Sequence, residues 1–323
     1  LTLISLCNYG EYMKILIIGN LGYIGPLVER RLRFYYPNAE IIGFDTEYFQ
    51  NNFPISNPEQ FSGNVNVQYF GDVRKFNDHY LEGISHVVYL AAISDDPMGK
   101  EFENVTKSIN CDSAAQIANW AKNQGVTSFV YASSCSIYGY AEKGLRTETS
   151  ETNPLTAYAK SKLESEKMLF PIADSSFAVT CLRFATACGY SPRLRLDLVL
   201  NDFVANAIST GKIEILSNGK PWRPLIHVED MARAIEWAIF RKGNNGGHFL
   251  SVNTGSNAWN YQVKNLADGI KKVIPDVEIT INKSAKFDKR SYKVDFSLFN
   301  SLATEYKPKM NLEDAIKDLI FGL

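Results

Sequence analysis

The chain contains no apolar run approaching the ~18 residues that a membrane-spanning helix requires, so nothing in its sequence points to a bilayer span. It also lacks a charge excess. Its 34 Lys and Arg against 35 Asp and Glu leave a formal net charge of −1, which argues against a nucleic acid or an anionic membrane surface as partner. Paired cysteines are missing too: Cys7, Cys111, Cys135, Cys181 and Cys188 are odd in number and contain no Cys-x-x-Cys pair. That usage suits free thiols in a reducing cytoplasm better than a disulfide frame or a zinc site. The four histidines are scattered and form no ligand cluster, so no metal is expected. Internal repeats and low-complexity tracts are absent as well. What is present is ordinary for a globular chain: 45% hydrophobic and 21% charged residues over 323 positions, enough for about two domains with a sizeable core. The expected partner is a small molecule.

Residues 1–12 precede Met13, where the first strand pattern begins. Met13 is read as the natural start and the preceding residues as an extension, too short and too uncharged at its front for a secretory signal. Lys14-Ile-Leu-Ile-Ile18 is an apolar run typical of a buried parallel strand, followed by Gly19-Asn-Leu-Gly-Tyr-Ile-Gly25 and a helical stretch over 26–36. Glycines at 19, 22 and 25 allow a tight turn and close approach to a pyrophosphate, which then rests on the positive end of the helix. The next apolar run ends on Asp45, 45 − 25 = 20 residues past the last glycine. A carboxylate there accepts hydrogen bonds from the adenine ribose hydroxyls and repels a 2′-phosphate. No Arg or Lys follows within 46–52 to hold such a phosphate, so NAD is favoured over NADP.

Further along, Tyr158 and Lys162 are four residues apart in Thr156-Ala-Tyr-Ala-Lys-Ser-Lys162, one helical turn, which puts a phenol and an ammonium on one face. A free tyrosine titrates near pH ~10, so a base at neutral pH needs its anion favoured by roughly 4 kcal/mol. The lysine is a source of that stabilisation. The same spacing arises by chance in solvated helices, so its meaning depends on its company. Ser128-Phe-Val-Tyr-Ala132 reads as another buried strand and runs into Ser133-Ser-Cys-Ser-Ile-Tyr-Gly139, hydroxyls at a strand's carboxyl end, where open α/β sheets bind ligands.

With these residues the chain closely resembles the extended short-chain dehydrogenase/reductases, the family of NAD-dependent nucleotide-sugar epimerases and dehydratases, from about Met13 to the C-terminus. The resemblance implies an α/β fold: a Rossmann-type doubly wound parallel sheet with a smaller C-terminal substrate-binding domain. The expected division is 13–184 for the dinucleotide domain, with a return segment at 225–252, and 185–224 with 253–323 for the substrate domain. The resemblance makes Ser134, four residues before Tyr138, the catalytic hydroxyl beside Tyr158 and Lys162, and gives Lys162 a second task on the nicotinamide ribose. It places Asp72 and Val73 beside adenine. Leu90, Ala91 and Ala92, after the strand at His86, join Tyr23 and Ile24 of the glycine turn as cofactor contacts. It makes Asn110, on a long helix expected at 101–123, a structural active-site residue, against a bland reading as a surface asparagine. That helix and the one carrying Tyr158 pair in family dimers, so a homodimer is implied.

The substrate contacts follow from the same resemblance. Pro221-Trp-Arg-Pro-Leu-Ile-His-Val-Glu-Asp230 matches the segment whose arginine contacts the sugar nucleotide's phosphates, which picks out Arg223, while His227 and Asp230 read as structural. Asp288-Lys-Arg-Ser-Tyr-Lys-Val-Asp295 puts Arg290 in the last phosphate-binding element. Two guanidinium forks match a diphosphate, although either arginine alone is as readily a surface residue. Ser94, in Ser94-Asp-Asp-Pro97, points toward the sugar or belongs to a helix-start turn. Thr186 stands in a Thr-Ala-Cys-Gly segment where the family commonly has Asn-Val-Tyr-Gly, and Asn201 is a compensating polar contact or a helix-surface residue. Cys135 and Ser136 occupy the places where 4,6-dehydratases carry Asp-Glu, which argues against a dehydratase. Cys135 does not match the cysteine of reductase-epimerases either, and is a substrate contact or a small packing residue. The expected activity is hydride chemistry at C4 of a nucleotide-diphosphate sugar, most simply a 4-epimerase. The alternatives are a net 4-dehydrogenase, a 4-ketosugar reductase or a non-catalytic NAD(H)-sensing protein.

Overall fold

The computed structural model describes residues 13–48, 64–94, 96–282, 284 and 291–323. Its centre is a seven-stranded parallel sheet. The strands are β1 (Lys14–Ile18), β2 (Glu40–Asp45), β3 (Val67–Phe70), β4 (His86–Tyr89), β5 (Ser128–Ser134), β7 (Ala178–Phe184) and β11 (Phe249–Thr254), in the order β11-β7-β5-β4-β1-β2-β3. A strand covered on both faces must be apolar on both, which is why β1 reads as an unbroken run. Its side chains alternate with the pleat: Ile15 and Ile17 join one core with Leu27, Leu32 and Ile235, while Leu16 and Ile18 join another with Val87, Ile117 and Leu169.

The first core is closed by α1 (Gly25–Tyr35) and α7 (Val228–Phe240), the second by α4 (Ser113–Asn123) and α5 (Ala157–Leu169). From β1 the chain winds outward through β2 and β3, then returns to β4 on the other side and winds the opposite way. The crevice at this reversal, outside the carboxyl ends of β1 and β4, is where an open α/β sheet takes its ligand.

A third core lies off the sheet. It gathers Leu200, Phe203 and Val204 of α6 (Val199–Thr210), Leu266 and Ile270 of α8 (Val263–Val273), and Ile316 and Leu319 of α10 (Leu312–Gly322). Small sheets border it: β8 (Thr186–Cys188) with β10 (Trp222–His227) and β12 (Asn260–Gln262), and β9 (Lys212–Ile215) with β13 (Glu278–Ile281). The return toward the main sheet therefore begins at α7, because residues 225–227 still pair with β8. A last pair, β6 (Tyr140–Arg146) with β14 (Ser291–Val294), carries residue 291 into the region of the sheet's carboxyl edge.

One expected element is different in form. The helix expected at 101–123 is three pieces: α2 (Asp96–Glu101), α3 (Glu103–Lys107) and, after a π-turn at Ser108–Asp112, α4. The wider turn swings Asn110 inward, a distortion that periodicity does not reveal.

Candidate active site

A cavity of about 1680 Å³ runs along the crevice and is lined at one end by Gly19, Gly22, Tyr23 and Ile24. Gly19 has φ +84, and a Cβ there would lie 2.4 Å from the Ala91 nitrogen, so only glycine lets the turn pass the end of β4. At Gly25 a Cβ would lie 1.8 Å from the Asn20 carbonyl oxygen. The helix that starts there has Pro26 in its first turn and no side chain capping its N-terminus. Its leading N–H groups and positive dipole end are suited to a diphosphate.

Asp45 closes this end. One carboxylate oxygen accepts from the Leu21 N–H at 3.0 Å and the other from the Glu47 N–H at 2.8 Å. Burial lifts its carboxyl above the ordinary range, and those N–H groups pull the opposite way. Asp72, Val73, Leu90, Ala91 and Ala92 line the cavity beyond it. The glycine turn closed by the Asp45 carboxylate fits a dinucleotide without a 2′-phosphate. Beneath the turn Asn20 donates to Glu29 at 2.7 Å and to Gln68 at 2.7 Å, and burial raises the Glu29 carboxyl to about 7.

Ser134, Ser136, Tyr158 and Lys162 line the adjoining stretch. Thr156 caps α5, its hydroxyl accepting from the Ala159 N–H at 3.2 Å, which starts the helix so that Tyr158 falls in its first turn. Lys162 is buried, with its ammonium 4.5 Å from the Tyr131 ring centroid and 5.6 Å from that of Tyr158. Burial pushes its pKa down to about 7. Ser134 ends β5 and caps a short turn over Cys135–Tyr138, its hydroxyl accepting from the Ser136 N–H at 3.1 Å. The Ser136 hydroxyl is buried with no hydrogen-bond partner among the described residues. Asn110 does not line the cavity; its amide donates to the Ile93 carbonyl at 2.9 Å and the Ser161 hydroxyl at 3.0 Å, joining the π-turn to α5.

Toward the third core Ser94, Thr186 and Arg223 line the cavity beside apolar Leu196, Val199 and Phe203, and three lining residues were not assigned from the sequence: Arg195 and Asp197 here, and Arg193 nearer Asp45. Arg195 donates to the Ser94 hydroxyl at 2.7 Å and grips Asp197 with two nitrogens. Arg193 donates to the Leu21 carbonyl at 3.1 Å and thereby ties this loop to the glycine turn. Their alternation, Arg-x-Arg-x-Asp over 193–197, was the available signal.

Two expected substrate contacts are turned away from the cavity. Cys135 is 1% exposed, its thiol donating to the Arg183 carbonyl at 3.0 Å, and burial pushes that thiol far above its ordinary pKa. Ser134 and Ser136 line the cavity, while Cys135, the first residue of the 3-10 turn that Ser134 caps, packs into the core. Asn201 is fully buried: its amide accepts from the Gly189 N–H at 3.0 Å and donates to the Arg195 carbonyl at 3.0 Å, shaping the loop from within. His227 caps α7 and bonds Asp318 at 3.0 Å, and Asp230 accepts from the Lys309 and Met310 N–H groups, which are structural tasks. Arg290 lies outside the described residues, as do Cys7 and the 1–12 extension. Among the described residues no group of His, Cys, Asp or Glu is arranged to hold a metal ion, and no helix is long and apolar enough to cross a membrane.

Known proteins share this architecture. A UDP-glucose 4-epimerase of Pasteurella multocida is 26% identical, covering 81% of this chain and 82% of its own length. The structure of MoeE5 in complex with UDP-glucose and NAD superposes with a TM-score of 0.79 at 22% identity, over 96% of this chain and 98% of its own. The UDP-glucuronic acid 4-epimerase of Bacillus cereus, in complex with UDP-glucuronic acid and NAD, does so with a TM-score of 0.81 at 21% identity, over 96% and 98%. The model of the NAD dependent epimerase/dehydratase family matches residues 15–255. A glycine turn, an acid at the end of β2 and a Ser, Tyr and Lys around one crevice agree with that match, and this chain belongs to the NAD-dependent epimerase/dehydratase family, with NAD as its cofactor.

Proposed function

We propose that this chain acts at C4 of a nucleotide-diphosphate sugar, in the simplest case as a 4-epimerase. The observation that carries the reading is that Ser134, Tyr158 and Lys162 line the same cavity as Gly19, Gly22 and Asp45. NAD, when bound, supplies the acceptor for the hydride of the sugar carbon. Tyr158 as phenolate takes the proton of the C4 hydroxyl, and the Ser134 hydroxyl hydrogen-bonds the same oxygen. Lys162, in its ammonium form, favours the phenolate; its burial makes that form sensitive to pH near neutrality. Epimerisation then needs only rotation of the ketone and return of the hydride to its other face.

Ser94, Ser136, Thr186 and Arg223 are the proposed sugar and diphosphate contacts, since all four line the cavity. Arg290 is a further proposed contact outside the described residues. Residues 13–184 with the return from α7 to β11 form the proposed dinucleotide unit, and the third core marks the substrate unit. A homodimer in the cytoplasm completes the proposal.

The test is to incubate the protein with UDP-, GDP-, CDP- and dTDP-sugars, following reduced-cofactor absorbance and product identity. An epimerase converts a sugar without net NADH, whereas stoichiometric NADH or NAD would mark a dehydrogenase or reductase. Tyr158→Phe should keep NAD and nucleotide binding and reduce turnover by on the order of 100-fold or more. Unchanged turnover would remove Tyr158 from the mechanism.

A further inference from the structure

Helix α5 carries a third residue at the same spacing. Tyr158, Lys162 and Glu166 follow one another at intervals of four and so share a face of the helix. Glu166 is 4% exposed and lies behind the cavity, among the buried polar groups that the proposed mechanism does not use.

Its carboxylate collects donors from three strands. Ser133, the residue before Ser134 on β5, donates to one oxygen. Arg183 of β7 approaches side-on, with Nε at 3.0 and 3.1 Å and a terminal nitrogen at 2.7 Å. Ser251 of β11 donates at 3.1 Å. Arg183 continues the network to the Tyr138 hydroxyl at 3.1 Å and the Glu148 carbonyl at 3.2 Å. A core needs no such group for packing, and a buried ion pair gives geometric definition more readily than stability.

We propose that Glu166 is a positioning residue for the catalytic pair: it locks the helix bearing Tyr158 and Lys162 to the strand that ends in Ser134, and it sets a carboxylate one turn from the lysine. This rests on the reading of Tyr158 as the base. The groups around Lys162 are the Tyr131 ring from β5, the Tyr158 ring and Glu166 from α5, and the thiols of Cys111 from the π-turn and Cys181 from β7. Burial pushes both thiols upward, so they are neutral at pH 7, and Glu166 is the carboxylate of the set. Its charge, partly offset by the paired Arg183 guanidinium, favours the ammonium form of Lys162 and, through it, the phenolate of Tyr158.

The experiment is a pH titration of near-ultraviolet phenolate absorbance on the NAD-loaded protein. The difference between wild type and Tyr158→Phe isolates Tyr158. In Glu166→Gln, which keeps the shape and removes the charge, the Tyr158 midpoint should rise by roughly half a unit or more. With UDP-glucose as the probe, turnover should fall about tenfold and the acid limb of its pH profile should move, while NAD affinity stays within about threefold. A folded Glu166→Gln protein whose Tyr158 titration superposes on that of wild type would overturn the proposal. Should Glu166→Gln not fold, Ser133→Ala removes one of the donors; a smaller shift supports the proposal and no shift overturns it. A wild-type protein inert toward UDP-glucose counts against the substrate, and the titration still decides Glu166.

Discussion

At the dinucleotide end of the cavity the glycine turn and the end of β4 present backbone and small side chains, Gly19, Gly22, Ala91 and Ala92, with carboxylates at Asp45 and Asp72. At the proposed sugar end, toward the third core, polar side chains such as Arg195, Asp197 and Arg223 stand among apolar ones such as Leu196, Val199 and Phe203, brought in by loops and strands far from the glycine turn in sequence. A wall of backbone offers one shape and one set of N–H groups whatever the neighbouring residues are. A wall of side chains changes with each substitution. The contrast gives a physical reason for one cofactor serving a family while the sugar varies. It also explains how two ends so different are kept in register. Residues 189–201 are stitched to the glycine turn through Tyr23, whose hydroxyl donates to the Gly189 carbonyl at 2.6 Å, and through Ser191, which donates to the Tyr23 carbonyl at 2.7 Å.

The sharpest way to break the contrast is to force the glycine turn apart from beneath. In Gly25→Val the new Cβ must occupy the space 1.8 Å from the Asn20 oxygen. NAD affinity should drop roughly 100-fold or more, or the first turn should fail to form, as read by fluorescence titration with NAD. Retained NAD binding would mean that the turn yields and that the wall is less fixed than its geometry indicates.

Acid should also act at a site remote from both ends. His86, at the amino edge of β4 with its ring 5.5 Å from that of Phe240, has its pKa lowered by burial from 6.5 to about 4. A base depressed in the folded state is held neutral, and the unfolded chain binds the proton first. Its contribution is therefore intact above pH 6.5 and is lost as pH falls toward 4, by up to about 3 kcal/mol. Denaturant midpoints measured across that window should decline in the wild type and decline less in His86→Asn. Equal slopes would assign the acid sensitivity to other groups.

The sugar end should respond in a graded way. Arg223→Gln removes a charged donor, and UDP affinity should weaken by ~10- to 100-fold with NAD affinity unchanged, both read by calorimetry. A comparable loss of NAD would show that the two ends are not separable. The smallest effect belongs to Cys135→Ala, which should cost ~1 kcal/mol of stability and alter either ligand's affinity by less than about twofold. A tenfold loss of UDP affinity would return Cys135 to the lining.

The sequence by itself determined the turn and its surroundings: strand, glycines, helix, second strand and Asp45 are contiguous, and each is dictated by neighbours within a few residues. The same holds for Tyr158 and Lys162, because one helical turn fixes their common face. Tertiary structure alone decided that Asn110 turns inward on a π-turn, that Cys135 and Asn201 face away from the cavity, and that Arg193 and Arg195 enter it. It also decided that Gly43 is needed in mid-strand, where a Cβ would lie 2.3 Å from the paired amides of Asn20 and Gln68. Those outcomes depend on which of two faces a side chain finds occupied by residues distant in the chain. Local spacing carries no record of that; the packed fold settles it when each polar group must find a partner or water.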